Sequence, residues 1–395
     1  MQTLFFIVFL DLVGFGMIIP VLPFFATRLG VPESMVVFLF GLYSLGQLVG
    51  SPVWGALSDR VGRRPVLLGT LAANALANLA LAVASNGWQL GAARLVAGLA
   101  AGNISTAFAY VTDMTNEATR PRAIGLLGAA FGLGFIVGPA LGGLIAGTGD
   151  TSGALARCAH VAAIMSTAAF IATLGLLKES HGHARRAQAA TQPRSNRWQI
   201  MNRPILRELL GATLLVVAGV AMFQSTFTVW SAQVLGITPR GLGVILGATG
   251  IVSVSIQGGA IGPLTRRFGT SKLTRAGAAF CGIAIFLLFF SRTLPGTYVP
   301  LTIFAVASAI FVPSISTLVA GTAGPTERGI VMGVFQSASS MGRVVGPFLA
   351  SAVVNAAGLK WPFAAGAAIS LGALGLLRVE RAADVAAVEP AKAPE

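Results

Sequence analysis

Apolar residues in this chain fall in runs of about twenty, parted by short polar breaks. A helix needs about 20 apolar residues to cross the hydrocarbon core of a bilayer. Runs of that length predict spans near 4–27, 36–57, 66–85, 88–110, 123–146 and 159–177, then near 209–234, 242–264, 274–291, 298–319, 329–354 and 361–377. The pattern is six plus six. It predicts an all-α membrane protein of 12 transmembrane helices, with an amino-terminal half over 1–177 and a carboxy-terminal half over 209–378. The stretch 178–208 carries Arg185, Arg186, Arg194, Arg197, Arg203 and Arg207 without helical periodicity, and reads as a flexible linker; 379–395 reads as a tail.

Composition agrees and excludes several classes. Hydrophobic residues make up 55% of the 395 and charged residues 10%, against about 25% charged in a soluble domain. The 49 glycines suit membrane helices, where they let backbones approach closely. The net charge of +14 invites a nucleic-acid partner, but the basic residues sit between apolar runs and form no face with interleaved aromatics, so none is expected. They follow the positive-inside rule instead. The even-numbered loops and the tail hold twenty Lys/Arg; the odd-numbered loops hold five, Arg28, Arg157, Arg240, Arg292 and Lys360. Both termini and the linker are therefore expected on the cytoplasmic side of an inner membrane. Cys158 and Cys281 lack metal spacing or plausible pairing and read as packing residues. No metal or cofactor is expected. The first apolar run lacks a basic lead and a small-residue cleavage site, and reads as a retained helix.

The halves repeat. Gly55-Ala-Leu-Ser-Asp-Arg-Val-Gly62 returns as Gly262-Pro-Leu-Thr-Arg-Arg-Phe-Gly269, offset by 207, and Gly134-Phe-Ile-Val-Gly-Pro139 returns as Gly342-Arg-Val-Val-Gly-Pro347, offset by 208. Two unrelated landmarks at nearly one offset indicate duplication, hence two pseudo-symmetric six-helix halves. The segment Gly55, Asp59, Arg60, Gly62, Arg63, Arg64 resembles the loop 2–3 signature of the major facilitator superfamily. Gly134, Gly138, Pro139, Gly142 and Gly143 resemble the span-5 signature of its drug/proton antiporters. Leu10-Asp11 with Pro20-Val-Leu-Pro23, the run Gly98 to Asp113, and Phe223 to Trp230 resemble the tetracycline-exporter branch. The resemblance covers the whole chain. It implies the major facilitator fold, a small-molecule substrate near the midplane between the halves, protons as coupling ion, lipid as surroundings and a monomer.

Physical chemistry gives these residues content. A tight turn between spans 2 and 3 needs residues free of a Cβ clash, which assigns Gly55 and Gly62 to it. Asp59 can face a helix amino terminus, while Arg60, Arg63 and Arg64 can pair with carboxylates or anionic lipid heads; a plain basic anchor is the alternative. The resemblance implies that this cluster latches the halves and that Arg63 lies near Asp113; Arg266 replaces the aspartate in the second copy. Small residues four apart in span 5 form a flat face for close packing, interrupted at Pro139. Charges inside spans cost about 2.5–3.5 kcal/mol each on insertion scales, so they are the strongest functional pointers. Asp11 is the one acid well inside a span and the candidate proton carrier; its alternative is a structural ion pair. The resemblance assigns Arg94 of span 4 a part in proton movement, and a nearby Arg would favour ionised Asp11. Arg343 in span 11 either bonds carbonyls across a tight interface or faces the cavity and binds an anionic group. Phe15, Asn103, Phe131, Gln224, Phe227 and Gln257 are the other cavity candidates, beside Asn74 and Asn78, with interhelical hydrogen bonds and lipid contact as the alternatives.

The departures narrow the substrate. Tetracycline exporters carry further aspartates in spans 3 and 9, whereas span 3 here has only Asn74 and Asn78 and span 9 has no acid. A metal–tetracycline complex is not expected. Arg94 and Arg343 against a single Asp11 favour neutral or weakly anionic amphipaths, exchanged for one proton. The leading expectation is proton-coupled efflux by alternating access. Metabolite uptake or uniport is the runner-up, and a transporter-like sensor or scaffold the third reading. An enzyme is rejected: His160, His181 and His183 lie at a span edge or in the linker, and no nucleophile–base spacing is present.

Overall fold

A computed structural model describes residues 2–116, 119–147, 153–180, 202–324 and 327–377, the side chains at 120–121 and 328–329 excepted. Every regular element among them is helical. In chain order these are α1 (Gln2–Ile18), α2 (Leu22–Arg28), α3 (Glu33–Val61), α4 (Arg63–Ala82), α5 (Gly87–Ala100), α6 (Asn103–Met114), α7 (Arg120–Ala146) and α8 (Ala154–Leu176). There follow α9 (Pro204–Val234), α10 (Pro239–Ser255), a π-helical turn (Ile256–Ala260), α11 (Ile261–Phe268), α12 (Thr270–Phe290), α13 (Leu294–Gly321), α14 (Arg328–Ala357) and α15 (Trp361–Gly372).

These helices fall on the twelve expected spans. Among the described residues, ten stretches are long and apolar enough to cross a membrane; α14 is as long, and Trp361–Gly375 is shorter. Many exposed side chains are large and apolar, among them Val83, Trp88, Ile164, Leu176 and Val299, as a lipid-facing surface requires. Residues 181–201 of the linker and the tail from residue 378 lie outside the described residues.

Two expected spans are broken, each by its own chemistry. Pro20 has no N–H and cannot sit quietly in a helix interior. Hence α1 stops at Ile18, and the amides of Ile19 and Val21 bond three residues back, to Gly16 and Ile18. Between α5 and α6, Ala101-Gly102 interrupts the ladder. The Leu99 carbonyl, which takes the Gly102 amide at 3.3 Å, also accepts from Trp54 Nε1 at 2.7 Å, and Asn103 becomes the first residue of α6.

The chain forms two compact units. One holds Met1–Gln192 with Gln224–Ile251 and Pro347–Leu359; the other holds Pro193–Phe223, Val252–Gly346 and Lys360–Glu395. In the first, α1 packs on α7 and α8, α4 on α8 and α5, and α3 on α5. Leu4, Ile7, Leu67, Leu71, Val111 and Leu127 centre its core. In the second, α12 packs on α13 and α15, and Leu209, Val216, Phe311, Ile315 and Phe335 centre the core.

The duplication is visible in backbone geometry. Gly62 and Gly269, 207 residues apart, both end a helix at positive φ, 113° and 79°. A Cβ on Gly134 or Gly138 would run into Leu12, Val13 and Gly16 of α1; one on Gly342 or Gly346 would run into Leu214, Ala218 and Met222 of α9. The same glycine stripe meets the first helix of its own half in both copies.

Candidate functional site

Asp11 lies on the tenth residue of α1 and is buried. Each carboxylate oxygen takes an amide donor from a different helix. Asn74 Nδ2 on α4 donates to Oδ1 at 2.7 Å, and Asn103 Nδ2 on α6 donates to Oδ2 at 3.2 Å. The Asn74 amide also reaches Ser166 Oγ on α8 at 3.3 Å. Both asparagines are buried as well. The break before α6 is what aims Asn103 inward from a helix start.

Arg94 of α5 does not meet this carboxylate. Its guanidinium lies 4.5 Å from the centre of the Tyr43 ring and 5.7 Å from that of Phe15, and the two rings stack on each other at 4.5 Å. The side chain is buried, and its Nε has no hydrogen-bond partner among the described residues. Glycines create this arrangement. A Cβ on Gly46, Gly50 or Gly98 would collide with the facing backbone of α5 or α3, so the two helices touch and Tyr43 is pressed onto Arg94. Phe15, the α1 residue that Arg94 approaches, is one turn beyond Asp11. Cation–π contact supplies part of what a carboxylate would have given the arginine.

Arg63 gathers the loop between α3 and α4. Its Nε donates to Asp113 Oδ2 at 3.0 Å, and its Nη1 reaches Asp59 Oδ1 and Ser58 Oγ, each at 2.6 Å. The contact with Asp113 is the one the resemblance implied. Glu179, just past α8, completes the cluster: its two oxygens accept from the backbone amides of Arg63 and Arg64 at 2.9 and 3.2 Å. A carboxylate there satisfies orphan donors at the start of α4 and complements its dipole. Arg64 returns to α8 through the Thr173 and Leu174 carbonyls. A Cβ on Gly62 would stand 2.6 Å from Glu179 Oε2, and its φ of +113° already favours glycine. Gly55 corrects the sequence reading: it is not in the turn, because α3 runs on to Val61. Arg60 is exposed.

The span-5 glycines serve two contacts. Gly134, Gly138 and Gly142 press on α1 from Leu12 to Met17, directly beside Asp11, while Gly143 meets Pro239, Arg240 and Gly243 at the start of α10. Pro139 sits inside the unbroken α7, its ring against Gly16.

The remaining cavity candidates are dispersed. Phe131 is half-buried and stacks on Phe108 at 6.3 Å. Phe227 is buried against Trp230, whereas Gln224 is exposed. Gln257 and Arg343 belong to the second unit. Gln257 is exposed in the π-helical turn, beside Gly258 and Gly259, which have open space at Cβ. Arg343 Nη2 donates to Ser340 Oγ at 2.9 Å. In that unit Arg203 also forms a bidentate pair with Glu327, both contacts at 2.8 Å, and this guanidinium holds the Glu327 carboxyl below its ordinary value. Sequence reasoning missed Tyr43, Glu179 and the Arg203–Glu327 pair. The spacing of Tyr43 with Gly46 and Gly50 on one helix face was the available signal for the first.

Comparison with known proteins bears on this arrangement. A profile described as Major Facilitator Superfamily matches residues 4–304 and 209–394. Tetracycline resistance protein, class C, of Escherichia coli is 31% identical over 389 residues, covering 93% of this chain and 94% of its own. Multidrug resistance protein 2 of Bacillus subtilis (strain 168) is 28% identical, covering 96% and 95%. Among solved structures, the human organic anion transporter MFSD10 (TETRAN) aligns with a TM-score of 0.68 at 24% identity, over 95% of this chain and 98% of that one. The nucleoside transporter NupG aligns with a TM-score of 0.76 at 14% identity, over 95% and 98%.

Proposed function

This chain belongs to the Major Facilitator Superfamily, on its drug-efflux side, and from that premise we propose a proton-coupled exporter of small amphipathic organic molecules with Asp11 as its proton carrier. The observation that carries this reading is the state of Asp11. Of the other described acids on membrane helices, Glu33 stands in a first turn, Asp59 and Asp113 stand in last turns, and Glu208 is the fifth residue of α9. Asp11 stands deep in α1, buried, and held by neutral amides. An ion pair would hold the charged form more firmly than neutral amides do, so the group here can still gain and lose a proton. The relatives are tetracycline and multidrug resistance proteins, which supports export as the direction.

Arg94, over the Phe15 ring one turn beyond Asp11, is the cation assigned to proton movement, and it acts without binding that carboxyl. The α7 glycines that press on α1 connect this carboxyl to the helix expected to rock. Two six-helix halves joined by 178–208 exchange access, with Asp59, Arg63, Asp113 and Glu179 as a latch at the cytoplasmic side. Both termini face the cytoplasm, and the monomer sits among anionic lipids. One proton moving inward down 100 mV supplies about 2.3 kcal/mol. Exchange for a neutral or weakly anionic amphipath uses voltage as well as the pH difference. The test is flux into everted vesicles of neutral, cationic and anionic compounds, with and without a pH gradient. Accumulation that collapses with the gradient is expected, with neutral and anionic compounds preferred. Full accumulation without a gradient overturns proton coupling, and preference for dications overturns the substrate class.

A further inference from the structure

Asp11 is tied to three other helices, and all of its donors are neutral. Asn74 holds Oδ1 from α4, Asn103 holds Oδ2 from α6, and Ser166 on α8 steadies the Asn74 amide. The repeat lacks this arrangement. At the offset of 207–208 found for the glycine motifs, Asp11 maps onto Ala218 or Gly219 and Asn74 onto Cys281 or Gly282. The polar cluster was therefore elaborated in one half only, which a purely architectural tie would not require.

We propose that Asn74 and Asn103 are positioning residues, an amide clamp that sets the pH at which the Asp11 carboxyl gains and loses its proton. The inference rests on the reading of Asp11 as carrier. Each amide N–H donates to a negative oxygen, and such bonds favour the charged form over the protonated one. Both oxygens are occupied, so the carboxylate is also fixed in orientation relative to α4 and α6. A change in the packing of α1 against either helix lengthens one bond and raises the proton affinity. Proton uptake and helix movement are thereby linked at one group.

Few other charges face this site. α7 carries no ionisable side chain from Ala123 to Ala146. On α8, Arg157, Cys158 and His160 are six or more residues from Ser166, about 9 Å or more along the axis. On α4, Arg63 and Arg64 are ten or more residues from Asn74; on α6, Tyr110 and Asp113 are seven and ten residues past Asn103. Arg94 of α5 and Tyr43 of α3 are the near neighbours; the guanidinium lies on the Tyr43 ring, which stacks on Phe15. The two amides are the groups in direct contact.

The test is pH-difference infrared spectroscopy of the purified protein in lipid, reading the protonated-carboxyl band that Asp11→Asn abolishes. Its midpoint is expected to move up by about one pH unit in Asn74→Leu and again in Asn103→Leu, given the usual strength of a hydrogen bond to a charged group. Asn78→Leu, one turn along α4 with no hydrogen bond to Asp11, should leave it in place. Should a Leu variant fail to fold, Asn74→Ala and Asn103→Ala carry the same expectation. A midpoint within about 0.2 units of wild type in folded variants at both positions overturns the clamp and leaves structural ties. A midpoint that moves, together with pH-driven transport that survives Asp11→Asn, keeps the clamp and removes the carrier reading.

Discussion

Gly138 offers a calculation with a built-in control. A Cβ there would stand 2.8 Å from Gly16 Cα and 2.9 Å from the Val13 carbonyl oxygen. Carbon atoms pack at about 3.5–4.0 Å, so α1 and α7 must part by roughly 0.7–1.2 Å, and the obstructing atoms are backbone that no rotamer change can move. Overpacking of this kind costs about 1–3 kcal/mol. Gly128 lies on the same helix with nothing within 4 Å of its Cβ position. Both Gly→Ala changes gain about 0.8–1.0 kcal/mol of helix propensity, and that gain cancels in the comparison. Gly138→Ala should therefore be less stable than Gly128→Ala by about 1–3 kcal/mol. Thermal unfolding of both variants in one detergent measures this, with Gly128→Ala at or above the wild-type Tm. Because Val13 is two residues from Asp11, Gly138→Ala should also slow proton-driven transport. A Gly138→Ala protein as stable as Gly128→Ala would refute the close approach of α1 and α7.

Three further outcomes follow from the geometry. Asp59→Asn removes one carboxylate from Arg63 but leaves Asp113 and Ser58 in place, so folding should survive. Cysteine accessibility should move away from the outward-facing pattern and turnover should fall more than binding; an unchanged pattern would reduce the loop to a lipid anchor. Arg94→Lys exchanges a planar, stacking cation for a compact one, and should lower the transport rate several-fold with insertion intact; wild-type flux would remove the Tyr43 contact from the account. Glu327 is held below its ordinary value of 4.5 by Arg203. The folded value is depressed, so its contribution is complete above the ordinary value and is lost as pH falls through the folded one. Glu327→Gln should lower Tm at pH 7 and match wild type in acid below the folded value. Equal Tm values at both pH values would show the pair to be without consequence.

The spans, their number and the duplication were legible because each rests on local sequence: twenty apolar residues make a span, and the glycine motifs recur at one offset. Asp11 was legible because a lone acid in an apolar run is costly and therefore conspicuous. Its partners were not, since Asn74, Asn78 and Asn103 are equivalent on paper. Only the break at Ala101-Gly102 and the rotation of α4 decide which two reach it. Whether Arg94 meets Asp11 was not legible, because it depends on how α5 packs; the glycine contacts between α3 and α5 set it against Tyr43. Glu179 caps a helix that begins 116 residues earlier, a distance across which no sequence pattern reports. Gly55 was misread as a turn residue because its motif resembles a loop, while the helix persists to Val61.

Asp11→Asn tests the central claim most directly. The substitution keeps the shape of the side chain and removes its ability to carry a proton. Substrate-driven proton release should be measured in proteoliposomes at a fixed pH gradient, beside the unfolding profile of the same preparation. The account predicts a folded protein with no proton movement and no pH-driven accumulation of substrate. Normal pH-driven transport in a folded Asp11→Asn protein would contradict it.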